Sequence, residues 1–485
     1  MAQLHLPVLG LRHAAVVIIA ASGLAGCALK ASLTHPEVVE QALPATTRIP
    51  PVWKAAPAAD PVTDNWLKSL DDPALDALVA EGIANNLDLR IAAAKVAIAQ
   101  QAVIVVGSQL LPQVGAVLGG RATNDEDHSG TSDSTIAYAG VAWELDVWGR
   151  LRAQRAAAEA GYEATALDYA YARQSIAATT AKLWYLTIET HRLVALSEQA
   201  VGIYRQLLAL VQIRRSAGKD SDLDVVDVSA KLATAESEVA WARERYGEAR
   251  RGLEVLLGRY PAAEIEVAAT YPALPALPGT SVPSALLERR PDLVAAEREV
   301  LAAFRNEEAA ELALLPEFSF SLLGGRLGDQ VMNLLRLNPW LASAGIGVSI
   351  PIYEGGALRA KVAIATAQQA QAVARYGAVM LTAFREVETS LENEKLLALQ
   401  LPLDQKALDD RREAVRIATI QYKAGRRDLL WVAQLQSAAL ATEADLIKLQ
   451  SAQRVNRVRL HQVLGGSFDA VPAATMPGPV ARGQE

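Results

Sequence analysis

Two hydrophobic periods alternate along this chain. In one stretch apolar residues step by three and four: Leu193, Leu196, Ala200, Ile203, Leu207 and Leu210. Beyond a break at Gly218 the step resumes with Val225, Val228, Leu232, Ala235, Val239, Ala242, Tyr246, Ala249, Leu253 and Leu256. Such a step, rich in small residues, predicts long helices packed side by side through narrow seams. Arg150–Ala217 contains no proline, so as one helix it would extend about 100 Å. Ala357–Ala424 is equally long, with Pro402 predicting a kink. Elsewhere the period is two. Ala137, Ala139, Val141, Trp143, Leu145 and Val147 alternate with a second set that turns polar at Glu144 and Asp146. Ala342, Ala344, Ile346, Val348, Ile350 and Ile352 alternate with Ser343, Gly345, Gly347 and Ser349. Partner strands are predicted near Val114–Ala122 and Phe318–Gly324. Alternation over about 10 residues is the pattern of a membrane-spanning β-strand.

The chain is written twice. Leu151-Arg152-Ala153 answers to Leu358-Arg359-Ala360, Ala217-Gly218 to Ala424-Gly425, and Leu257-Gly258 to Leu464-Gly465, always 207 residues apart. Each copy predicts a helix, a β-hairpin and a long helical hairpin. Repeat 1 takes residues 73–258, with its β-hairpin at about 112–147 and its helical hairpin at about 150–258. A proline-rich inter-repeat linker covers 259–283. Repeat 2 takes 284–466, with hairpins at about 316–353 and 357–464, and a tail follows at 467–485. The fold class is mainly α with a β-barrel part. Four strands per chain cannot close a barrel, and open edges are not tolerated in lipid. Strands must therefore be pooled: two chains would give a filled lumen, and three would give 12 strands and a channel.

The chain has 485 residues, 51% hydrophobic but only 5% aromatic, with net charge −7. That balance favours long alanine- and leucine-rich helices, and without a basic run it argues against a nucleic-acid partner. One cysteine is present, Cys27. Arg12 and His13 precede an apolar run at 14–21 that is too short to span a bilayer, and Leu24-Ala25-Gly26-Cys27 follows. This resembles a bacterial lipobox. It implies a signal peptide at 1–26, S-diacylglycerol and N-acyl groups on Cys27, and a lipidated linker at 27–72. Ala28 after the cysteine is compatible with outer-membrane sorting. No later apolar stretch reads as a transmembrane helix.

At Ser284-Ala-Leu-Leu-Glu-Arg-Arg-Pro-Asp-Leu-Val-Ala-Ala-Glu297 and Leu315-Pro316 the chain resembles the NodT branch of the TolC/OprM outer-membrane factors. Asp72-Pro73-Ala74-Leu75, Asn85-Asn86-Leu87-Asp88-Leu89 and Asp146-Val147-Trp148-Gly149-Arg150 support the likeness. The resemblance implies a homotrimer with a 12-stranded barrel in outer-membrane lipid and a helical tunnel in the periplasm. It also implies a periplasmic adaptor and an inner-membrane pump of the RND class as partners. The family's gate lies where the long helices turn back. Tyr422, Gly425 and Arg427 match its tyrosine, glycine and basic residue, and its facing aspartate falls on Asp224. Trp431 and Gln434 replace the acidic constriction of some relatives, so Asp220, Asp222, Asp227 or Asp428 would have to supply any charge selecting cations. Asp220, Asp222 and Asp224 also suit helix capping.

No catalytic or cofactor-binding motif is found, and the six histidines are scattered. The expected work is passive conduction of drugs or other toxic small molecules through a gate. Two other readings share parts of the pattern: the exit duct of a type I protein-secretion system, and a non-conducting, lipid-tethered coiled-coil scaffold. A scaffold, however, needs no lipid-facing strands.

Overall fold

The computed structural model describes residues 29–56, 60–125, 130–328 and 341–469. The signal region, Cys27, the strand-connecting stretches 126–129 and 329–340, and the tail beyond 469 lie outside the described residues. The elements in chain order are α1 (His35–Ala42), α2 (Trp66–Ser69), α3 (Pro73–Asn85), α4 (Leu87–Ser108), β1 (Gln113–Asp125), β2 (Gly130–Leu145), α5 (Arg150–Ser216) and α6 (Asp222–Leu256). The second copy follows with α7 (Leu286–Arg289), α8 (Pro291–Leu312), β3 (Glu317–Gly328), β4 (Leu341–Ser349), α9 (Ala357–Lys423) and α10 (Leu429–Val463). The chain divides into two compact units, one of Met1–Thr47, Ala94–Ala166 and Ala295–Ala378, the other of Arg48–Ala93, Leu167–Val294 and Val379–Glu485.

The first unit holds one antiparallel sheet in the order β1-β2-β3-β4. Its register sets Val114, Val141, Leu322 and Ala344 in one row, and Trp143, Phe320 and Ile346 in another on the same face. The opposite face carries the row Ala142, Ser321 and Gly345 and the row Glu144, Ser319 and Gly347. In these rows one face is apolar and the other small or polar; further along, the second face also carries Val117, Tyr138 and Leu323. Neither face has a core of its own, for every residue of β4 is exposed. The outer edges of β1 and β4 are open.

At the foot of the sheet the Asp146–Arg150 motif turns strand into helix. Asp146 accepts from the backbone N–H groups of Leu151 (3.0 Å) and Arg152 (3.1 Å), which starts α5. Gly149 takes φ +89°, and a side chain there would meet Leu29 Cδ2 at 3.6 Å. The indole of Trp148 donates to Pro316 O (2.8 Å), and that of Trp143 to Leu110 O (3.0 Å). The N-terminal segment is strapped onto repeat 2: Arg305 donates to Lys30 O (2.8 Å), Lys30 pairs with Glu311 (2.8 Å), and His35 Nδ1 lies 2.9 Å from Glu297.

The core of the second unit gathers Trp66, Leu75 and Val79 against Ala177, Ala178, Ala181, Trp184 and Ile188, with Leu253, Leu257 and Val458. The alanines let neighbouring elements approach α5 closely. Asp72 caps α3 at Ala74 and Leu75 and accepts the Trp184 indole N–H at 2.8 Å. Asn86 separates α3 from α4: its extended backbone stops one helix, and its side chain accepts from Leu89 N (3.0 Å) to start the next.

Two details differ from the periodicity reading. The predicted seam is buried or half-buried along all of α6 and along α5, where Leu196 and Leu207 are buried, but on α5 a second buried stripe lies beside it, at Val194, Ser197, Val201, Tyr204 and Val211. Leu193, Leu196, Ser197 and Ala200 line a cavity of about 520 Å³ with Ala242, Leu440 and Ala444. A helix flanked on both sides needs two adjacent stripes, and a single 3,4 step describes one of them. The second difference is α4. No transmembrane helix is expected from the sequence; by length and composition alone α4 is long and apolar enough to cross a membrane, with mean hydropathy 1.6. Only 6% of that window is buried, and Ile91, Ile98, Ile104 and Val105 lie exposed. Asp88, Arg90 and Lys95 interrupt the apolar run. The helix α9 continues through Pro402, which has no N–H for the carbonyl of Ala398.

Candidate gate at the helix turns

Each long hairpin reverses over a glycine at positive φ, Gly218 (+70°) and Gly425 (+72°). In the first, Gly218 N–H donates to Arg215 O (2.8 Å) and Lys219 N–H to Arg214 O (2.9 Å). In the second, Gly425 N–H donates to Tyr422 O (2.9 Å) and Arg426 N–H to Gln421 O (2.9 Å). Both are the paired-bond helix ending that a left-handed glycine permits. The next helix starts on Ser221 in one copy and Asp428 in the other, again 207 residues apart.

The acidic residues of the turns divide into caps and one contact. Asp224 closes a capping box: its carboxylate accepts from the Ser221 backbone N–H (2.9 Å) and hydroxyl (2.6 Å), and its own N–H donates to Ser221 Oγ (3.2 Å). Asp428 accepts from Trp431 N–H at 3.2 Å. Asp222 pairs with Arg215 where both are exposed, a setting in which ion pairs contribute little. Asp220 reaches the other hairpin, where the hydroxyl of Tyr422 donates to its Oδ2. The aspartate facing Tyr422 within the chain is therefore Asp220, while Asp224, four residues further, is held by its own helix. Arg427 lies with its guanidinium carbon 5.5 Å from the centre of the Trp431 ring.

The Tyr422–Asp220 bond sits on a core shared by the two hairpins: Tyr204, Leu207, Val211 and Val228 from the first, and Ala418, Leu429, Val432 and Ala433 from the second. Tyr422 is only 1% exposed. Burial pushes its phenol well above the usual range, and the Asp220 carboxylate pushes it the same way. The hydroxyl therefore stays protonated as a donor. A third group, which the sequence reading missed, completes the contact: Arg214 Nε lies 3.1 and 3.0 Å from the two oxygens of Asp220. Its one sequence signal is a basic residue in the last turn of a helix, which dipole considerations alone account for.

An open sheet with one apolar face, joined to helical hairpins of 67 and 35 residues, defines a membrane duct. The profile of the outer membrane efflux protein family matches residues 78–259 and 282–466, and the chain belongs to that family. It is 28% identical over 422 residues to the pyoverdine export outer membrane protein OpmQ of Pseudomonas aeruginosa, covering 84% of this chain and 88% of that protein. It is 29% identical over 405 residues to the toluene efflux pump outer membrane protein TtgI of Pseudomonas putida, covering 82% and 86%. Among solved structures, the outer-membrane channel OprN superimposes with a TM-score of 0.79 at 25% identity, over 88% of this chain and 99% of that one. The Campylobacter jejuni CmeC outer membrane channel shares the fold, with a TM-score of 0.81 at 20% identity over 91% and 96%. The protein is an outer-membrane efflux channel.

Proposed function

We propose that three copies of the chain form one duct, which accepts small toxic compounds from a periplasmic adaptor and an inner-membrane RND pump and conducts them passively outward. The observation that carries the assembly is the open four-stranded sheet, apolar on one face and exposed along all of β4. Only further strands relieve its two edges in lipid. The uncovered apolar side of α4 supports the same reading, since a second copy would bury it. The relatives' names point to pyoverdine and toluene as their cargo; organic small molecules are the cargo class proposed here. Lipidation of Cys27 is part of the proposal. Its support is the Leu24-Ala25-Gly26-Cys27 sequence after a short apolar run.

The two turns act as the gate. The Tyr422–Asp220 bond closes it, Asp222, Asp224 and Asp428 shape the helix starts, and Arg427 lies within reach of an opening partner. Purified full-length protein, inserted into a planar bilayer as a heat-modifiable trimer, should show a low basal conductance. A trimer that conducts nothing under any condition would overturn the proposal. Deletion of the gene should raise susceptibility to toxic compounds and leave protein secretion intact; the reverse pattern would assign the duct to secretion.

A further inference from the structure

Arg214 belongs to the last turn of α5, one residue before the arginine that pairs with Asp222. Its Nε faces both oxygens of Asp220, at 3.1 and 3.0 Å. Its guanidinium carbon stands 4.3 Å from the centre of the Tyr422 ring. The side chains of Arg214 and Asp220 are 15% and 7% exposed. One cation thus touches both members of the bond that joins the two hairpins. We propose that Arg214 is a positioning residue of the gate: it aims the Asp220 carboxylate at Tyr422 and braces the phenol ring, so that the clasp is complete inside one chain. This inference rests on reading the turns as the gate.

Three observations support the assignment. The backbone of Arg214 is itself fixed by the turn, since its carbonyl accepts the Lys219 N–H at 2.9 Å. The cation and the loop bearing Asp220 are therefore held in one frame. The chemistry also calls for arginine: a flat guanidinium can meet a carboxylate at its edge and an aromatic ring on its face, which an ammonium cannot do together. Finally, the repeat breaks its symmetry here. A step of 207 residues leads from Arg214 to Gln421 and from Asp220 to Arg427, so the second turn cannot build the same ion pair. The first turn supplies the acceptor and its cation, the second supplies the donor, and Arg427 is left beside Trp431. On opening, Tyr422 can leave while Asp220 keeps a partner, and the release strands no charge.

The test is the conductance of the reconstituted full-length protein, compared among variants at equal amounts of folded assembly. Arg214→Gln, which installs the residue of the second turn, should raise the open fraction about tenfold, as expected for one charge-assisted contact. Arg214→Lys, which keeps a cation beside Asp220 but cannot also lie on the ring, should recover only part of the closed state. Arg214→Gln should add much less to Asp220→Asn than it does alone, because the arginine acts mainly through that carboxylate; a general loss of stability would add in full. Arg214→Gln with unchanged conductance, a lysine no better than glutamine, or additive effects would each overturn the role of Arg214 while Asp220→Asn and Tyr422→Phe still opened the channel. If those two variants also left conductance unchanged, the gate reading itself would fall.

Discussion

At Tyr422 a single oxygen separates packing from gating. The ring is part of a core shared by both hairpins, and the hydroxyl makes the bond to Asp220. Tyr422→Phe keeps the ring and removes the bond, so the closed state should lose about 1.5–3 kcal/mol, the range for hydrogen bonds to charged groups. Single-channel recording should show this as a higher open fraction with little change in melting temperature. His461 offers a separate test of residue chemistry. It is buried, stacks on Trp66 with ring centres 5.8 Å apart, and finds no partner for either ring nitrogen among the described residues. Burial, and secondarily Arg457, hold its pKa down to about 4, against 6.5 for a free imidazole. A base with a depressed folded pKa is neutral in the fold. Its contribution is intact above pH 6.5 and is lost as the pH falls from 6.5 to about 4, because the unfolded chain binds the proton first. The loss is at most roughly 3 kcal/mol. His461→Phe should therefore lose less stability between about pH 7 and 4.5 than the native chain does, as thermal melts at the two pH values would show. An equal acid loss in both proteins would place its source elsewhere.

At the scale of elements, α9 and α10 are joined by a buried ion pair. Glu394 and Arg457 have side chains 8% and 5% exposed, and Asn456 donates to the same carboxylate at 2.9 Å. Glu394→Leu leaves a buried cation uncompensated and should cost about 3–5 kcal/mol, whereas Glu394→Leu with Arg457→Met should restore most of that loss. Thermal melts of the single and double variants decide between pair-specific and general damage. The same scale shows how far the sequence reaches. The 207-residue offset places both turns, because glycine at positive φ and an N-cap three residues on are local requirements written in single residues. The choice of Asp220 over Asp224 is not local. Ser221 claims Asp224 for a capping box, and which carboxylate remains for Tyr422 depends on how two hairpins pack. The second stripe on α5 has the same origin: one apolar step in sequence describes one of two neighbours and leaves the other unmarked.

For the whole molecule, composition and alternation were enough to infer a barrel pooled between chains, since four strands cannot satisfy their own edges in lipid. What α4 does was hidden, because its charges at Asp88, Arg90 and Lys95 mask an apolar side that the structure leaves uncovered. Two measurements act at this scale. Cys27→Ala should abolish incorporation of labelled fatty acid, and labelling that persists would mean the lipobox reading is mistaken. Substituting charge into the exposed side of α4, as Ile98→Glu, should lower the yield of heat-modifiable trimer in favour of monomer; an unchanged yield would place the contact between copies on another face.

The unpaired edges of β1 and β4 carry a consequence for biogenesis. A sheet whose two outer edges find hydrogen-bond partners only on other copies depends for part of its stability on how many copies are nearby. In the proposed trimer, mass action then governs the barrel: dilution favours the loose protomer steeply, and the membrane favours closure by confining the strands to two dimensions. Until it meets its partners, each newly exported chain presents an adhesive β-edge. Its survival becomes a race between productive encounter and aggregation, decided by the rate of supply rather than by the strength of any bond within one chain.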